Sequence, residues 1–107
     1  MQRVKETFQF GATGVSIEKP LFENGVITHY TLSCPNFTNA VTTTLSIKDS
    51  DGTTIWTGNA HNENNSYLVA NLSIPVDAGF SLVATLSGVA GGTGGNVVAA
   101  VFVDTRN

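Results

Sequence analysis

Charged side chains are scarce in this sequence. Asp, Glu, Lys and Arg supply 12% of the 107 residues, about half the usual share, so solubility rests on the neutral hydroxyls and amides of Thr, Ser and Asn. Only five residues are Lys or Arg and the formal net charge is -3. Phosphate backbones call for a clustered basic face, so nucleic acid is excluded as a partner. Cysteine is almost absent: with Cys34 alone, no intrachain disulfide forms and the fold must stand on its core and hydrogen bonds. No run approaches the roughly 18 apolar residues of a membrane span. The opening MQRVKETFQF lacks the apolar segment of a secretory leader, which predicts a chain made in the cytoplasm and no membrane partner. Helical periodicity is missing too. No window sustains a 3.6-residue apolar period, and β-branched residues dominate every run, so helices longer than about a turn are not expected.

What is present is alternation. Val4, Phe8 and Phe10 share one parity, and Val15 and Ile17 start a short run that Pro20 stops, as at a sheet edge. Leu21 and Phe22 lead to the turn dipeptide Asn24-Gly25. Val26, Thr28, Tyr30, Leu32 and Cys34 read as one face of a central strand, with Ile27, His29, Thr31 and Ser33 on the other. Leu45 and Ile47 alternate with Ser46 and Lys48, then Asp51-Gly52 supplies a hairpin turn before Ile55, Trp56 and Thr57. Leu68, Ala70, Leu72 and Ile74 form a further apolar face, as do Phe80, Leu82, Ala84 and Leu86. The run Val97 to Val103 is apolar on both parities, which predicts burial on both faces, within the sandwich or against another subunit. The pattern predicts one all-β domain over residues 1–107: a two-sheet antiparallel β-sandwich, jelly-roll-like with about eight short strands, or alternatively immunoglobulin-like.

No residue constellation identifies a chemistry. Asp49, Asp51 and Gly52 begin like a calcium loop, but the third ligand and the later bidentate Glu are missing, so they read as turn chemistry. Zinc needs at least three ligands, and His29 and His61 have no ligand spacing. His61 and Glu63 read as parts of a solvated loop. Cys34 shares the parity of Leu32 and Tyr30 and reads as a buried, inert thiol; a nucleophile would need a His and an orienting acid beside it. The stretch Gly88 to Gly95 lacks the Lys and Ser or Thr of a phosphate loop. It reads as a flexible connection or an arm that orders on a partner. The expectation is a non-enzymatic chain with no catalytic residue, metal or cofactor. Trp56 is the single tryptophan. If Ile55 points to the core, Trp56 points away, as a sugar platform or partner hot spot unless a sheet, loop or subunit covers it. Trp56, Tyr67 and His61 are the candidate partner or glycan contacts.

The Thr-, Asn- and Gly-rich texture, the all-β pattern and the hairpin LSIKDSDGTTIWTG resemble small structural proteins of tailed bacteriophages, capsid decoration or cement proteins above all. The resemblance implies a virion location, a homo-oligomer with trimers favoured, and contacts with capsid or other virion proteins. A carbohydrate- or receptor-binding module of a phage tail is the alternative, with sugar rings stacked on Trp56, Tyr67 or Tyr30.

Overall fold

A computed structural model of the chain describes residues 1–105. The alternating runs become strands because each has one face to bury. They are β1 (Gln2–Phe10), β2 (Ser16–Pro20), β3 (Gly25–Cys34), β4 (Thr42–Lys48), β5 (Thr54–Thr57), β6 (His61–Asn62), β7 (Asn65–Val69), β8 (Ile74–Val76), β9 (Ser81–Leu86) and β10 (Gly95–Thr105). Sheet A runs β1-β10-β3-β7, with β8 also on β3; sheet B runs β2-β9-β4-β5, with β6 also on β4. All pairs are antiparallel. Taking β5 with β6 and β7 with β8 as two interrupted strands gives eight, in the strand order of a jelly roll. The immunoglobulin-like alternative does not fit, since β1 and β2, like β3 and β4, lie in opposite sheets.

The core lies between the sheets. Phe8, Phe10, Tyr30, Leu32, Val97, Ala99 and Val101 meet Leu45, Ile47, Leu82, Ala84 and Leu86, all fully or almost fully buried. The alternation of β1, β4 and β9 sets these faces as expected, and β2 is a short edge strand on β9 alone. A break in register in one strand and the pairing of another reverse other expectations. Phe102 pairs with His29 but Val103 with Ile27, so Thr28 is the extra residue of a bulge and parity flips there. Ile27 enters the core while Val26 and Thr28 stay half-buried. Likewise β7 pairs so that Leu68 sits opposite Thr31, which puts Leu68 outside at 67% exposure. The strand stops at Val69, Asn71 takes a left-handed φ of 63°, and only from Ile74 does the core face resume.

The Asp49 turn is built as the sequence predicts. Asp49 Oδ1 accepts from the Asp51 and Thr53 N–H groups at 3.0 and 2.9 Å, and Gly52 takes φ 83°. The glycine-rich crossover before β10 is a packed element instead of a free connection. Ala90 is fully buried, the Gly91 N–H donates to Ala12 O at 2.9 Å and the Asn39 N–H to Ala90 O at 2.9 Å. Gly94 has φ 74°, and a Cβ there would run into the Phe10 carbonyl.

Candidate functional site

β5 and β6 of sheet B approach β3 and β7 of sheet A along one side of the sandwich, and there Trp56, His61 and Tyr67 converge on Tyr30. Tyr30 Oη and His61 Nε2 are 2.8 Å apart. The Trp56 ring stands edge-on to Tyr30, with centroids 5.9 Å apart, and Tyr67 lies over His61 at 4.4 Å. Tyr67 Oη donates to Asn62 O at 3.2 Å. Each side chain has a local cause. Ile47 pairs with Trp56 and Lys48 with Thr54, so Ile55 is the extra residue of a bulge. That puts Trp56 inward and half-buried, with Ile55 outward, the reverse parity to an outward-facing tryptophan. Gly58 keeps room for the indole: a Cβ there would lie 2.9 Å from Trp56 Cη2. His61 is buried at 8% exposure, which corrects the solvated-loop expectation. Glu63 turns back to accept from the Phe37 N–H at 2.7 Å.

The electrostatics of this seam are those of a packed core. Burial lowers the His61 pKa and so favours the neutral imidazole. Burial first, and the nearby Cys34 second, raise the Tyr30 pKa. Burial also raises that of Cys34, against a smaller opposing pull from the Thr43 hydroxyl. A protonated phenol, a protonated thiol and a neutral imidazole run opposite to the depressed thiol pKa that activates a nucleophile. The cluster packs side chains of the two sheets against one another along their seam.

The outward faces of the two sheets differ. Across sheet B the row Glu18, Val83, Ser46 and Thr57 is polar apart from Val83, which is itself covered at 4% exposure, and Lys48 reaches Glu18 at 3.4 Å. Across sheet A, β10 turns Val98, Ala100 and Phe102 outward, since Val97, Ala99, Val101 and Val103 fill the core. Phe102 stacks on His29 at 4.2 Å, nearly parallel. The row Lys5, Ala100, Thr31 and Leu68 crosses a concavity of about 520 Å³ with Arg3 and Val98 also in its wall. The apolar run on both parities of β10 signalled this face in the sequence. Leu68 escaped notice because its parity was assigned to the core.

No protein-family model matches the chain, and no curated protein does. Among solved structures, the infectious bursal disease virus Gx strain is similar at 13% identity and TM-score 0.39, over 100% of this chain and 34% of that one. The VP2 subviral particle of infectious bursal disease virus is similar at 15% identity and TM-score 0.37, over 95% and 32%. The chain thus spans about a third of the length of those viral chains. Likeness this distant carries no argument, and the topology above stands on its own strand pairing.

Proposed function

We propose that this chain is a non-enzymatic structural protein of a viral particle, made in the host cytoplasm, that decorates a bacteriophage capsid through homo-oligomeric and capsid contacts. The observation that supports this reading is the unequal finish of the two sheet faces. A monomer has no use for an outward-facing Val98 and a 67%-exposed Leu68 around one concavity, whereas a subunit of an assembly buries them. Jelly rolls occur in both viral capsid and lectin domains; that is an analogy of fold, and the apolar outward face favours the capsid side. The test is light scattering coupled to size exclusion, followed by co-sedimentation with phage shells. A homotrimer that pellets with shells is the expected result, and a monomer that leaves shells bare overturns the proposal.

A carbohydrate-binding role is the second reading, favoured by the meeting of Trp56, Tyr67 and His61 along one seam, where Trp56 and Tyr67 keep part of their surface exposed. A glycan array probes it directly. Sugar binding without shell binding would move the chain to that class.

A further inference from the structure

Phe22 is the most exposed large apolar side chain among the described residues, at 74%. It is held there by both of its flanks. Leu21 before it is fully buried, its N–H donating to Phe80 O at 2.7 Å and its carbonyl accepting from the Gly79 N–H at 3.0 Å. After it, Asn24 Oδ1 accepts from the Ala78 N–H at 2.8 Å. A corner tied at both ends holds the backbone that carries this ring, so contact costs little backbone ordering entropy. Glu23 follows directly, and Asp77 opens the neighbouring turn. This end of the sandwich therefore carries an exposed apolar knob, followed in the chain by the half-buried Glu23, with an exposed Asp77 in the neighbouring turn.

The concavity on sheet A has the opposite character. Its floor is Val98, Ala100 and Thr31, Leu68 stands on one side, and Arg3 and Lys5 stand on the other. Among the described residues no carboxylate lines it and neither cation forms an ion pair. In a chain with five Lys and Arg against eight Asp and Glu, two unpaired cations beside an apolar floor are a local reversal of sign. The volume of about 520 Å³ lies within the roughly 300–1,000 Å³ range of pockets that seat compact groups. Apolar floor and cations match the aromatic ring and carboxylate of the Phe22–Glu23 corner.

We propose that copies of this chain join end to face, the Phe22–Glu23 corner of one copy seated in the sheet A concavity of the next, with Phe22 against Leu68 and Glu23 near Arg3 and Lys5. This rests on the structural reading above and names its homotypic contact. Knob and groove are different patches, so the contact is heterologous: it closes into a ring, such as a trimer, or propagates as a filament.

The full-length chain tests it by sedimentation velocity from micromolar to submillimolar concentration. The wild type self-associates. Phe22→Ser, which lacks the knob, and the Arg3→Glu/Lys5→Glu double variant, which lacks the groove, are each monomeric, with the thermal midpoint that the wild type approaches on dilution. Leu68→Ser, at a side chain outside the core, is a second groove variant and behaves as the double variant does. An equimolar mixture of knob and groove variants forms a one-to-one dimer and nothing larger, because each supplies the half the other lacks. The proposal is overturned by variants that associate like the wild type, or by a mixture that stays monomeric while the wild type assembles. A wild type that is monomeric throughout but still binds shells also overturns it, and leaves the shell-binding function standing.

Discussion

Thr43 carries a hydroxyl buried in the core without a partner at hydrogen-bonding geometry. The adjacent Cys34 thiol, held protonated by burial, is a weak hydrogen-bonding group and compensates little. Desolvating a hydroxyl without a partner is unfavourable, so Thr43→Val is expected to raise stability by about 1 kcal/mol, read as a higher urea midpoint at unchanged slope. His61 gives the chain a pH response. Burial lowers its folded-state pKa below the ordinary 6.5, so as pH falls the unfolded chain takes up the proton first. Stability is then fully present above about pH 6.5 and declines as pH falls toward the lowered value. The thermal midpoint should fall on acidification from about pH 7.5 to 5, and His61→Gln should flatten that decline; an unchanged slope in the variant would rule out His61 as the source. Neither residue announced this role. His61 stood among Asn and Glu in what composition marks as a loop, and only the pairing of Thr43 with His61 across β4 and β6 brings it under Tyr67 and onto Tyr30.

At the scale of elements, plain alternation was legible and interruptions were not. Phe8 and Phe10, Leu45 and Ile47, and Leu82, Ala84 and Leu86 all take the core parity that their spacing implies. The bulges at Thr28 and Ile55 and the left-handed Asn71 each reset parity downstream, since one unpaired residue flips every following side chain. A bulge depends on the partner strand, which local sequence does not contain. Trp56, the residue of most interest in its hairpin, was therefore misdirected by its own neighbour. The glycine-rich crossover misled for a related reason: glycine serves flexible linkers and tight left-handed turns alike. Its packing yields a paired prediction. Gly52 has positive φ but open space around it, whereas Gly94 has positive φ with the Phe10 carbonyl where a Cβ would go. Gly52→Ala should cost about 1 kcal/mol, and Gly94→Ala at least about 2 kcal/mol more, both measured by urea unfolding.

At the scale of the whole molecule, the two-sheet architecture and the unusual final strand could be read from sequence, and the candidate surface could be read only in part. A run apolar on both parities implied a second burial surface for β10. Which neighbours complete that surface depends on strand order, and the row Lys5, Ala100, Thr31, Leu68 draws on four segments far apart in the chain. Phe22 looked like an ordinary apolar residue before a turn, because nothing local distinguishes it from Leu21, which is fully buried. The open edges of the sandwich carry their own protection: on edge strand β1, Glu6 sits on the same parity as Phe8 and Phe10, an inward-leaning charge that discourages another strand from adding there.

The placement of β9 and β10 also governs how the sandwich comes into being. β10 lies between β1 and β3, and β9 lies between β2 and β4, so each sheet has a central strand drawn from the final third of the chain. Before those segments leave the ribosome, β1 and β2 have no partners and β3 and β4 each lack one long side. The sheets therefore form from their flanks toward their middles. Such non-local closure folds on the slow, millisecond-to-second scale of all-β domains. During synthesis it leaves apolar strands waiting for a late arrival, and the low charge of this sequence gives them little electrostatic shielding from one another in that interval.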